Sequence, residues 1–165
     1  MRAWCMSKRK FEQYCLDNGW QPDVNPPDAV ISICCNPDVA EKVLKDGDPH
    51  YFSDGLSNVL NVEFDDITSD KETYDGQETD GYDKVTAYGI TPETAERIVR
   101  FIEDHKHMDF VIHCRAGKSR SQAVTRYILD FYRDHDNFNP ANPCIFHNVH
   151  TYVALKNARE RLGLC

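Results

Sequence analysis

DFVIHCRAGKSRSQAV, residues 109–124, holds three signals in close succession. An apolar run leads into His113 and Cys114, and a glycine with basic neighbours follows. From Ser119 onward, Ala123, Val124, Tyr127, Ile128 and Phe131 recur at the spacing of one helical face. Strand, loop, helix is the order in which α/β proteins build anion sites, because a helix amino terminus offers N–H groups that the helix itself leaves unpaired. Gly117-Lys118-Ser119 invites comparison with the nucleotide-binding loop GxxxxGK[ST], whose first glycine lets the backbone wrap the phosphates. The corresponding position here is Ile112, inside the strand, so that comparison fails.

The same alternation extends in both directions. Residues 2–6 suit a short strand, and Ser7 can cap a helix that carries Phe11, Tyr14 and Cys15 on one face before Gly19 ends it. DAVISICC, 28–35, reads as a buried strand; Asn36-Pro37 then caps a short helix bearing Val39, Ala40, Val43 and Leu44. NVLNVEF, 58–64, is the next strand. Residues 63–83 hold nine of the 27 acidic residues and almost nothing apolar, which predicts a long solvated loop without a packing face. Thr91-Pro92 opens a helix with Ala95, Ile98, Val99 and Ile102 at i, i+3, i+4 and i+7, and a last helix runs from about Asn148 to Leu162 after the linking stretch 136–148. Strands alternating with helices predict a single α/β domain around a mostly parallel sheet, with ligands bound where strand ends meet helix starts.

Composition narrows the classes. A chain of 165 residues is long enough to bury one core, and 41% hydrophobic with 28% charged residues is ordinary for a globular protein. The net charge of −8 disfavours nucleic-acid binding, and no apolar run is long enough to span a bilayer. The start, MRAWCMSKRKFEQ, lacks the pattern of a secretory signal, so a cytoplasmic location is expected. Seven scattered cysteines, 5, 15, 34, 35, 114, 144 and 165, read as free and mostly buried thiols. The histidine pairs at 105/107 and 147/150 have ligand spacing but no cysteine pair beside them, a weak metal signal.

Cys114 and Arg120, separated by five residues, suit nucleophilic chemistry. The loop between them can arch over a tetrahedral anion, and the following helix points its free N–H groups into the arch, an environment that favours a thiolate. Phosphorus in a monoester dianion resists attack unless its oxygens are neutralised and the leaving oxygen is protonated. Arg120 supplies a planar fork for two of those oxygens.

VIHCRAGKSRSQAV, read as strand, HCxxGxSRS loop and helix, resembles the cysteine-dependent protein phosphatases, and among them the compact dual-specificity branch. The resemblance extends loosely to the element order from about residue 28. It implies that Cys114 forms a phosphocysteine intermediate, that Arg120 binds the phosphate and that His113 shapes the loop. It also implies that Ser121 hydrogen-bonds the sulfur, that the backbone of Arg115, Ala116, Gly117, Lys118 and Ser119 lines the anion site, and that neither metal nor cofactor is required. Members also carry a general acid on a separate loop after an apolar strand. VEFDDIT points to Asp66, with Asp65 as the alternate and Asp70, Asp75, Asp80 and Asp83 as further candidates on the acidic segment.

The resemblance makes phosphotyrosine in proteins the expected substrate, with phosphoserine and phosphothreonine beside it. Lys118 and Arg115 occupy positions where a phosphoinositide-directed branch carries basic residues, which makes lipid headgroups the alternative. A phosphopeptide-binding module without catalysis is the third. The expected partner is a phosphorylated protein, with no nucleic acid, no stable membrane association and a monomeric chain. Cys34 or Cys35 could pair with an oxidised Cys114, against the simpler expectation of inert buried thiols.

Overall fold

The computed structural model describes residues 1–44, 46–75, 84–132 and 147–164, the side chain of 75 excepted. Four parallel strands, β1 (Ala3–Ser7), β2 (Ala29–Cys34), β3 (Val59–Glu63) and β6 (Phe110–Cys114), form one sheet in the order β1-β6-β2-β3. The two inner strands are buried along their whole length because helices cover both faces, which is why they read as unbroken apolar runs.

Alternation within those strands sorts side chains between two cores. Ala29, Ile31, Ile33, Phe110 and Ile112 pack with α3 (Pro92–Asp104), α4 (Arg120–Tyr132) and α5 (Val149–Arg161), through Ile98, Ile102, Val124, Tyr127, Ile128 and Leu155. Val30 and Val111 face the other way, onto Phe11 and Cys15 of α1 (Lys8–Asp17) and onto Phe52. His113 shares that second face, and its ring stacks on Phe11 at 4.3 Å between centroids. The expected caps form: Ser7 accepts from Lys10, Asn36 from Asp38 at the start of α2 (Pro37–Lys42), and Thr91 from Thr94.

The acidic segment departs from expectation. Within the predicted loop 63–83, residues of β4 (Lys71–Asp75) pair antiparallel with β5 (Lys84–Tyr88), Lys71 opposite Tyr88 and Asp75 opposite Lys84. The packing face comes from β5, where Val85 and Ala87 are buried, flanked by exposed Lys84 and Tyr88 with half-buried Thr86 between them, and meet Cys35, Val39 and Ala40. β4 is held by backbone pairing to that strand and needs no apolar face of its own, so hydrophobic periodicity could not reveal it. Residues 76–83, and most of the linking stretch, lie outside the described residues.

Because the sheet is parallel, the strands end on one side. Ser7 lies opposite Cys114, and Cys34 opposite Glu63. The segments leaving β1, β2, β3 and β6 therefore converge at one rim.

Candidate active site

The loop after β6 is seated on the end of β1. Lys8 donates its N–H to the carbonyl of Arg115 at 3.2 Å. Gly117 adopts φ +69, and a Cβ there would stand 2.4 Å from the Ser7 nitrogen and 2.5 Å from the Met6 carbonyl carbon. Only glycine fits this position, on both conformation and space. Ser119 closes the loop and starts α4, its carbonyl accepting from Ala123 at 3.0 Å.

Cys114 ends its strand with 2% of its surface exposed, and its Sγ lies 3.2 Å from the hydroxyl of Ser121 on the first turn of α4. Arg120 is 3% exposed. Its Nη1 donates to the carbonyl of Phe64 at 2.6 Å, at the end of β3, and approaches the carbonyl of Cys34 at 3.5 Å. Both Nη atoms lie 3.8 Å from Cys35 Sγ, while Nε, also buried, has no acceptor among the described residues. Burial works against the guanidinium charge, but Cys35, Cys114 and Asp66 outweigh it, and the pKa is raised on balance. The site therefore holds a firm cation whose Nε donor has no acceptor among the described residues.

The two candidate acids separate cleanly. Asp65 is buried and saturated: its carboxylate accepts from the Asn36 N–H at 3.1 Å, the Asn36 side-chain amide, and the Tyr88 N–H at 2.8 Å. It ties the cap of α2 to β5. Asp66 is exposed and turns to the loop, accepting from Ser119 Oγ at 2.6 Å and Asn148 Nδ2 at 2.8 Å. Asp70 is 95% exposed and faces His150 at 3.4 Å. Asp80 and Asp83 lie outside the described residues, as does the side chain of Asp75.

Asn148 was legible only as the approximate start of the last helix. It does cap α5, its Oδ1 accepting from Thr151 at 2.9 Å, but its Nδ2 also holds Asp66 and the Ile67 carbonyl. That second role depends on α5 meeting the segment after β3, which no local pattern encodes. Asp48 was missed as well. Buried beneath the rim, it accepts from the Cys35 N–H at 2.7 Å and from Lys8 at 2.8 Å, and stands 3.9 Å from Arg115. Burial pushes its carboxyl up, yet the Lys8 and Cys35 donors hold it below its ordinary value.

Arg115 and Lys118 are both exposed at the rim. Cys5 is buried, Cys15, Cys34, Cys35 and Cys114 are buried free thiols, and burial pushes Cys15 and Cys34 up to about 12. Among the described residues no group of three or more His, Cys, Asp or Glu side chains could hold a metal ion, and no helix is long and apolar enough to cross a membrane.

No protein-family model matches the sequence, and no curated protein matches it. Solved structures do match. The crystal structure of Cydia pomonella PTP-2 phosphatase superposes with a TM-score of 0.51 at 16% identity, covering 95% of this chain and 85% of that one. PTPMT1 in complex with PI(5)P gives 0.47 at 14% identity over 98% and 92% of the two chains, and Tk-PTP in its active form gives 0.47 at 15% over 98% and 93%. The chain has the fold of the cysteine-dependent tyrosine phosphatases.

Proposed function

We propose that this chain is a metal-independent phosphomonoester hydrolase acting on phosphotyrosine in proteins, and on phosphoserine and phosphothreonine where they reach the loop. One observation carries the proposal: the buried guanidinium of Arg120, on the first turn of the helix that follows the Cys114 loop, keeps a buried Nε–H that has no acceptor among the described residues, a donor in want of an anion. A buried, unpaired donor on a charged group is costly unless a ligand completes it.

In the first step the Cys114 sulfur forms a bond to phosphorus as the bond to the leaving oxygen breaks, and Asp66 gives that oxygen its proton. Arg120 and the amides of the loop from Arg115 to Ser119 take the charge of the phosphoryl oxygens. In the second step the Asp66 carboxylate accepts a proton from water, whose oxygen bonds to phosphorus. The sulfur leaves with the electron pair, steadied by the Ser121 hydroxyl. Asp66 suits both turns because it is exposed and held by Ser119 and Asn148, whereas Asp65 is fully occupied by backbone and amide donors. His113 acts from behind, in the strand. The proposal includes a monomeric, cytoplasmic enzyme with a protein substrate; buried free thiols suit a reducing compartment.

A second substrate class has its own observation. Lys8, Arg9 and Arg115 line a cleft of about 430 Å³ beside the loop, a set that suits the extra phosphates of an inositol headgroup, whereas Lys118 lines a separate cleft with Ser7 and Gln122. Asp48 compensates Lys8 and Arg115, which favours the protein substrate.

The test is phosphate release, in EDTA, from a phosphotyrosine peptide, a phosphothreonine peptide and a soluble phosphoinositide, by wild type, Cys114→Ser and Asp66→Asn. Release from the peptides that vanishes with Cys114→Ser supports the proposal. Preference for the inositide moves it to the second class. Tight peptide binding without release by wild type makes the loop a reader and ends it.

A further inference from the structure

Behind the loop, a chain of polar groups runs from His113 to the surface. His113 Nε2 lies 2.8 Å from Ser32 Oγ, Ser32 Oγ lies 2.7 Å from His50 Nδ1, and His50 Nε2 lies 2.7 Å from Glu63 Oε1. The partners come from three neighbouring strands, β6, β2 and β3, and from the segment between α2 and β3. His113 and Ser32 are fully buried, whereas the Glu63 side chain is 48% exposed.

Proton counting gives the chain one direction. Glu63, as a carboxylate, only accepts, so His50 Nε2 carries the hydrogen. At a pH well above the ordinary histidine value near 6.5, where an imidazole is uncharged, its other nitrogen, Nδ1, presents a lone pair at 2.7 Å from Ser32 Oγ, and only donation by the serine hydroxyl avoids a lone-pair clash. The thiol of Cys34, at 3.4 Å from the same nitrogen, is the weaker competitor. With its one hydrogen used, Ser32 must accept from His113, which places the His113 proton on Nε2 and leaves Nδ1 bare.

We propose that Glu63 and His50 are positioning residues for the phosphate loop, acting through Ser32 to fix which nitrogen of His113 carries the proton. The alternative tautomer would put an N–H on Nδ1, a buried atom with no partner among the described residues. A buried donor left unsatisfied is relieved only if the backbone around it moves, and that backbone is the junction of β6 with the loop. Stacking on Phe11 prevents the ring from turning to escape. Burial holds His113 neutral, so the choice lies between tautomers rather than charge states. The charged groups nearest the chain, Lys8, Asp48 and Arg120, bear on His113 through space and form none of its links.

The experiment reads the tautomer directly, by long-range proton–nitrogen NMR of the imidazoles in the whole protein. Wild type should show His113 protonated on Nε2. Glu63→Gln, at a half-exposed position, lets the amide donate to His50 as well as accept, so both directions open and a mixed His113 tautomer should appear. Ser32→Ala, which cuts the chain, should do the same with Glu63 intact. His113 protonated on Nδ1 in wild type, or a pure Nε2–H form in a folded Glu63→Gln, overturns the proposal. These readouts need no turnover, so they stand apart from the phosphatase assignment. The catalytic consequence does rest on it: Glu63→Gln should lower kcat by about tenfold with KM nearly unchanged. An unchanged kcat alongside a mixed tautomer would overturn the positioning role.

Discussion

Replacing Gly117 with alanine tests the seat of the loop on β1. The residue sits at φ +69, a conformation that costs an L-residue roughly 1 kcal/mol. The added Cβ would also lie 2.4 Å from the Ser7 nitrogen, 2.5 Å from the Met6 carbonyl carbon and 2.8 Å from its oxygen. Those atoms are backbone of a paired strand and cannot swing aside. Overpacking of this kind adds roughly 1–3 kcal/mol, so the total is about 3 kcal/mol. Gly19→Ala is the control: its φ is +66, but nothing lies within 4 Å of the added carbon, so only the conformational part remains, about 1 kcal/mol. Denaturant unfolding of the two variants beside wild type gives the difference. For a chain of this size, 3 kcal/mol corresponds to a Tm lowered by roughly 10 °C. Inorganic phosphate should protect wild type and Gly19→Ala against unfolding but not Gly117→Ala, whose loop is displaced. Equal stability losses in both variants, with phosphate protection retained, would refute the seating of the loop on the strand.

Asp66→Asn should lower kcat by about two to four powers of ten on an alkyl phosphate while leaving phosphate binding intact, checked by steady-state kinetics. Asp65→Asn should act mainly on stability, because its partners are Asn36 and Tyr88; unfolding midpoints beside rates separate the two. Asn148→Ser keeps a capping hydroxyl but cannot reach Asp66, so kcat should fall about tenfold, the worth of roughly 1.5 kcal/mol, with stability close to wild type. His113 should make the fold acid-sensitive. Burial, helped by Lys8 and His50, lowers its pKa to about 3, so between the unfolded value near 6.5 and that point the unfolded chain binds a proton the native chain refuses. Stability should therefore fall as pH drops below 6.5, by about 1.4 kcal/mol per unit, and the difference curve against His113→Asn isolates that slope in urea titrations.

Much of this protein is written in local patterns. Apolar runs bounded by caps were enough for β2, β3 and β6, and for the helices opened by Ser7, Asn36, Thr91 and Asn148, because each element's periodicity and end signals are properties of neighbouring residues. Cys114, Arg120 and Ser121 fall close together for the same reason: one strand, one loop and one helix turn hold all three. What the sequence could not contain is which distant groups those elements bring together. Asp65 and Asp66 are adjacent and chemically identical, and only the approach of Asn36 and Tyr88 to one and of Ser119 and Asn148 to the other separates them. The β4–β5 pair escaped notice because β4 is stabilised by a partner strand and not by its own face. Asn148 next to Asp66, and the chain from His113 through Ser32 and His50 to Glu63, join residues up to 82 positions apart, and such contacts arise when parallel strands end at a common rim. Local sequence places Cys114, Ser121 and Arg120 on one strand end, loop and helix turn; the tertiary fold separates Asp65 from Asp66 and fixes what stands behind the loop.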